Sequence, residues 1–211
     1  MPECLRDIEK SIAACRLCPL CDTRQNVVVW NSDYAQRGIM VIGEAPGADE
    51  DAAGEPFVGK AGQLLNKLLE RAGMTRRHLC ITNMLKCRPP GNRDPEPEEL
   101  RACLPYLEQQ IAILRPAAII TLGRFSGCRL SLQFTTMGAL AKRTDLVYRP
   151  PLRHELGIPD YVEIVTEPVP LFAAYHPSYI LRQGRSQRAK DLMQDTIEKF
   201  RRAYELAHPI T

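Results

Sequence analysis

No apolar run in this 211-residue chain approaches the roughly 20 residues that a bilayer span requires, so the sequence predicts no membrane association. The opening MPECLRDIEK has no apolar core of the kind a secretion signal carries, and the chain is expected in a reducing, cytoplasmic compartment. Neither sign of charge dominates: 28 Lys and Arg stand against 25 Asp and Glu, leaving +3. A polyanionic partner would therefore have to be met by a local patch. Internal repeats, low-complexity tracts and heptad runs are also missing, which excludes solenoids and coiled coils. The length suits one domain over 1–211 with a real core.

Cysteine is what the chain has in excess. Eight are present, and without an export signal metal binding explains them better than disulfides. Cys15-x2-Cys18 forms half of a site, and Cys87 and Cys103 are the natural second pair. One tight pair plus two dispersed cysteines leans toward an iron–sulfur cluster, with zinc or plain buried thiols as the other readings. Cys21 extends the pattern to CxxCxxC and competes as a ligand, while Cys80 and Cys128 fit core positions.

Apolar runs bounded by glycine and polar loops predict strands at 39–42, 78–82, 117–122 and 171–175. Residues 3–21 read as a short N-terminal helix leading into Cys15-Arg-Leu-Cys18-Pro-Leu-Cys21, and helical spacing covers 64–69, 97–114 and 186–206. Edge strands are expected near 146–148 and 162–165, within a proline-rich segment, 131–168, that is otherwise hard to read. Strands alternating with helices argue a parallel sheet covered on both faces. Glu44, Asn83 and His176 each stand where a predicted strand ends, and parallel strand ends lie side by side at one crevice. The Gly/Pro loop between Gly43 and Gly59 then becomes part of a ligand site, with Phe57 isolated in it. Asp49, Glu50 and Asp51 read as a solvated loop face, with Glu50 also able to reach the pocket.

These segments, namely CRLC at 15–18, GEAPGADED at 43–51, GEPFVGKAGQLL at 54–65, TNMLKCRPPGNRDP at 82–95, Cys103 and HPSYILR at 176–182, resemble the family 4 uracil-DNA glycosylases. The resemblance implies a three-layer α/β/α domain with a four-stranded parallel sheet, and a [4Fe–4S] cluster on Cys15, Cys18, Cys87 and Cys103 within an N-terminal segment, 1–37, and two later elements. It assigns Cys21 no ligand role. Asn83 would read uracil, Phe57 stack on it, His176 donate to its O2, and Glu44 position water. The backbone of Ala45, Pro46 and Gly47, the Ser178 hydroxyl and Arg182 would hold DNA, with residues 179–182 filling the gap left by the flipped base. Lys86, Arg88, Arg93, Arg185, Arg188 and Lys190 could supply a positive rim, those on the helix 186–206 reading also as a solvated face. The expected partner is uracil-containing DNA, single- or double-stranded, bound by a nucleoid-associated monomer that a sliding clamp or other repair proteins could join. Two departures stand out. Segment 131–168 is longer and richer in proline than usual, and Ala45 occupies the position where family 1 relatives carry a water-activating Asp. The competing reading is a non-catalytic iron–sulfur DNA-binding or redox-sensing protein on the same fold.

Overall fold

The computed structural model describes residues 3–31, 38–159 and 162–209. Two parts of the sequence reading, 32–37 of the N-terminal segment and 160–161 of the proline-rich segment, lie outside the described residues. In chain order the elements are α1 (Glu3–Ala13), α2 (Leu20–Thr23), β1 (Ile39–Gly43), α3 (Ala48–Ala53), α4 (Lys60–Arg71), β2 (Leu79–Asn83) and α5 (Pro97–Leu114). There follow β3 (Ala118–Leu122), α6 (Arg124–Ser131), α7 (Met137–Ala141), β4 (Val147–Tyr148), α8 (Arg153–Leu156), β5 (Val169–Ala174), α9 (Pro177–Arg182) and α10 (Gln187–Ala207).

The sheet order is β2-β1-β3-β5-β4. The four expected strands are present and mutually parallel, and β4 adds a fifth, two-residue strand antiparallel to β5. Side-chain alternation builds the layers. Met40, Ile42, Ile119, Leu171 and Ala173 face one way and pack with Leu5, Ile8, Leu107 and Ile111 of α1 and α5. Ile39, Val41, Ile81, Ile120 and Phe172 face the other way, against Leu65 and Leu69 of α4 and Phe200 and Ala203 of α10. A strand buried on both faces needs a continuous apolar run, and β1, IMVIG, is buried at every residue. Among the described residues no helix is long and apolar enough to cross a membrane.

The short N-terminal helix is α1, which ends at Ala13 and leads into the cysteine motif; Pro19, which lacks an N–H, is the N-cap of the brief α2 that follows. Two local expectations are corrected. The loop after β1 folds part of itself into α3, which Gly54 ends in the left-handed conformation at φ 72°. Residues 162–165 form no strand, although the Val165 N–H still bonds the Ala112 carbonyl at 2.8 Å.

Candidate active site

All four parallel strands end at one edge, where a cleft of about 790 Å³ opens between the loop after β1, the proline-rich loop after β2, the start of α6 and the HPS segment after β5. Glu44, Ala45, Pro46, Gly47, Glu50, His176, Ser178 and Arg182 all line it. Residues as far apart in sequence as Glu44 and His176 are thus brought together by the parallel sheet.

Asn83 and Phe57 lie just beneath. Asn83 is the last residue of β2, opposite Gly43 in register, and is 2% exposed. Its Oδ1 is buried with no hydrogen-bond partner, a costly condition that marks a group waiting for a donor. A Cβ on Gly43 would collide with that oxygen and sit 2.7 Å from Phe57 Cζ, so the glycine makes room for amide and ring together. The Phe57 ring centroid is 5.9 Å from that of His176. Amide, ring and imidazole therefore bound one small space.

Phe57 itself is strained into place. Its φ is 55°, a region that bulky residues avoid. Arg76 donates from Nη1 to the Phe57 carbonyl at 3.0 Å and from Nη2 to the Pro56 carbonyl at 2.6 Å. On the other flank, Glu50 Oε1 accepts from the Val58 and Gly59 N–H groups, both at 3.0 Å. A Cβ at Gly62 would collide with the Phe57 carbonyl, so α4 can approach only because that position is glycine.

Glu50 thus organises the loop rather than facing solvent. Its Oε2 also accepts from the Gly47 N–H at 3.1 Å; since Pro46 has no N–H, one of the two N–H groups that Ala45–Gly47 could offer a phosphate is already engaged. Asp51 is buried as well, and accepts from the Gln25 and Asn26 N–H groups at 2.9 and 3.2 Å. The solvated acidic face expected at 49–51 is therefore a set of loop ties at two of its three positions. Lys86 likewise does not belong to the positive rim, being 1% exposed.

His176 caps α9. Its Nδ1 accepts the Ser178 N–H at 3.2 Å and lies 2.8 Å from Ser178 Oγ. An acceptor Nδ1 leaves the proton of the neutral ring on Nε2. Burial, reinforced by Arg182, lowers the His176 pKa to about 4, so the ring is a neutral donor at ordinary pH. Gly123 (φ 102°) allows the close approach: a Cβ there would lie 3.3 Å from His176 Cβ. Beyond it, Tyr175 and Tyr179 stack with centroids 5.5 Å apart, Arg182 and Arg188 lie over the Tyr179 ring, and Leu181 of α9 is exposed.

Burial pushes the Glu44 carboxyl up to about 7; Asp94 adds to the rise and Arg124 opposes it. If the carboxylate is the working form, turnover below pH 7 should fall about tenfold per pH unit and level off above. Glu44→Gln should lose the activity and flatten that limb, and a pH–rate profile of both proteins checks it. The linkage runs oppositely: the folded state holds the Glu44 proton more tightly, so this stabilisation is full below pH 4.5 and lost as pH rises through about 7.

Behind the cleft, Cys15, Cys18, Cys87 and Cys103 line a common cavity, with Cys21, Arg24 and Lys86. Arg24 Nη1 donates to Cys87 Sγ at 3.1 Å and the Lys86 N–H to Cys103 Sγ at 3.2 Å. Burial pushes the Cys103 thiol up to about 12. Donors aimed at sulfur in a site that disfavours a bare thiolate suit sulfurs bound to a cationic centre, so the donor set fits a thiolate-ligated metal group. Among the described residues no three His, Cys, Asp or Glu side chains close on a single ion position; the thiols share a cavity. Cys21 turns its Sγ to Asp22 Oδ1 at 3.5 Å. Ala45 packs against the Cys87 and Cys103 cluster, so this cavity backs directly onto the loop after β1.

Fold and site define an α/β/α protein with a cleft at the carboxyl ends of its parallel strands, the place where such sheets hold their ligands. A sequence model of the Uracil DNA glycosylase superfamily matches residues 31–201, and the chain belongs to that family. It is 43% identical to a type-4 uracil-DNA glycosylase of Pyrobaculum aerophilum, over 89% of this chain and 91% of that protein. Type-4 uracil-DNA glycosylases of Archaeoglobus fulgidus (42%; 85% and 84%) and Thermotoga maritima (37%; 93% of each) are similarly related.

Several site-forming residues were not singled out from sequence. Arg76 sits in an Arg-Arg pair that reads as surface charge. Asp94 and Arg124 reach Glu44 from segments 50 and 80 positions away, with no local signature. The loop-tying role of Glu50, a residue already expected to reach the pocket, had a local signal: three residues after Gly47 and opening a helix, its carboxylate can accept the N-cap N–H, the one half of a capping box that glycine allows.

Proposed function

We propose that this chain is a uracil-DNA glycosylase, hydrolysing the bond between uracil and deoxyribose in DNA and leaving an abasic site. The observation that carries the reading is the buried, unpartnered Asn83 Oδ1, which meets Phe57 at Gly43, with the Phe57 ring in turn beside the His176 imidazole. Uracil inside a duplex stack is unreachable, so the nucleotide must be flipped into the pocket. There Asn83 accepts from N3–H and donates to O4, a pattern cytosine cannot satisfy, and Phe57 stacks on the ring. As the glycosidic bond breaks, negative charge gathers on uracil O2 and His176 Nε2–H stabilises it. Glu44 in its carboxylate form orients the attacking water and favours the cationic sugar. The leaving uracil takes the bonding electron pair, and water supplies hydroxide to C1′ and, finally, a proton to the base.

DNA would lie along the cleft, with the free N–H of Ala45 on phosphate and Arg182, Arg188 and Arg93 supplying charge. Residues 179–182, with exposed Leu181, would fill the gap in the stack. Cys15, Cys18, Cys87 and Cys103 would hold a [4Fe–4S] cluster, which when bound ties the N-terminal segment, the loop after β2 and α5 together. The span 1–211 would act as one domain. An oligonucleotide with a single uracil, treated with the protein and then alkali, should break at that position. An intact strand at protein excess would leave the non-catalytic binder as the better account.

A further inference from the structure

Lys86 has no part in the reaction as described, yet it is among the most completely buried side chains in the molecule. Its ammonium donates to the Asn83 main-chain carbonyl and to Thr82 Oγ1, both at 2.7 Å. Thr82 Oγ1 passes its own proton to the Val29 carbonyl. The Lys86 main chain faces the other way: its N–H donates to Cys103 Sγ at 3.2 Å, its carbonyl accepts from the Val28 N–H at 2.8 Å, and the residue lines the cysteine cavity. One residue therefore touches both the strand end that presents the Asn83 amide and the cavity holding the four cysteines.

A lysine is an expensive way to satisfy one carbonyl, since burying an ammonium costs far more than burying an amide. The turn 83–86 would remain hydrogen-bonded without it, because the Met84 and Leu85 N–H groups already bond the Gly43 and Glu44 carbonyls. What Lys86 adds is a fixed position for the Asn83 carbonyl, and so for the Cα from which the amide projects. The Gly43 contact leaves the amide almost no room for error.

We propose that Lys86 is a positioning residue for uracil recognition, holding the Asn83 amide in register with the base through the Nζ–carbonyl bond and tying that register to the cysteine cavity. The inference rests on Asn83 being the group that reads uracil. Its loss should loosen the amide in the transition state more than it weakens DNA binding.

A double-mutant cycle tests it. Lys86→Met keeps the length and the burial and removes the donor. Single-turnover uracil excision should fall about tenfold to hundredfold, with DNA affinity little changed and visible absorption retained. In an Asn83→Ala background the same substitution should cost little more, because the group it positions is gone. Additive losses, full activity in Lys86→Met, or equal loss of affinity and rate would each overturn the proposal. Loss of the visible absorption together with activity would also overturn it, making Lys86 a support of the cysteine cavity alone. Should Lys86→Met fail to fold, Lys86→Arg retains the charge but displaces the donor, and the same non-additivity is expected of it. A wild-type protein that excises uracil yet is colourless would remove the cluster while leaving the cycle to decide the lysine. A wild type that excises nothing removes the base-reading premise itself.

Discussion

Replacing His176 with alanine is expected to slow uracil excision by about 10²–10³-fold, the usual cost of one preorganised donor to a developing oxyanion, with DNA binding nearly unchanged. The expectation follows from three features that act together. Ser178 occupies Nδ1 and so keeps the proton on Nε2. Burial holds the ring neutral down to about pH 4. The ring also stands against Phe57, on which the base would lie. A neutral donor needs no deprotonation step and brings no charge into the cavity before the bond begins to break. Ser178→Ala should cost much less, because the Ser178 main-chain N–H still bonds Nδ1 and preserves the tautomer. Single-turnover excision measured beside fluorescence anisotropy separates the steps. Equal loss of rate and affinity in His176→Ala would turn the residue into a structural cap of α9.

The pH behaviour separates His176 from Glu44. His176 is neutral throughout the working range and adds no limb above about pH 4, whereas Glu44 changes charge near neutrality. An acid limb centred close to 7 would therefore report the carboxylate. This bears on Ala45, which stands where family 1 relatives carry their water-activating Asp. Ala45 lines the cleft and also packs on the cysteine cluster, and Glu44 beside it is the carboxylate present at that end of the loop.

The sheet was legible because strands buried on both faces must be written as unbroken apolar runs, and IMVIG and AIITL can hardly be anything else. Convergence of Glu44, Asn83 and His176 followed from the rule that parallel strands release their ligands at their carboxyl ends. Where the reading failed, it treated charged residues by composition. Lys86 sits in a loop rich in Arg and Pro and looks like surface charge, but Thr82 and Asn83 lie four and three residues before it and draw its ammonium inward. Asp51 looks solvated within an acidic run, but accepts from a chain segment 25 residues away. Long-range satisfaction of this kind leaves no periodic mark. The left-handed backbone of Phe57 was equally invisible, since it depends on Arg76 and on the glycine at 62 in the following helix.

Asn83→Asp is expected to reduce uracil excision by about 10²-fold and to raise cytosine excision above that of the parent. The substitution is nearly isosteric, so the tight contact with the space above Gly43 is preserved and any change belongs to hydrogen bonding. Uracil presents a donor at N3 and an acceptor at O4. The carboxylate keeps the acceptor for N3–H but sets a second oxygen against O4, leaving two acceptors facing each other. Cytosine presents an amino donor at position 4, and the carboxylate can take that hydrogen. The exchange reverses the sign of one interaction rather than weakening it, which is why discrimination should shift further than the rate on uracil alone. Gly43→Ala supplies the complementary test: it leaves the amide chemically intact but drives a methyl into Oδ1, so uracil excision should fall with no gain on cytosine. Parallel excision assays on uracil- and cytosine-containing strands distinguish the two outcomes. Unchanged uracil activity in Asn83→Asp would show that the buried amide oxygen serves the end of β2 and that the base is read elsewhere.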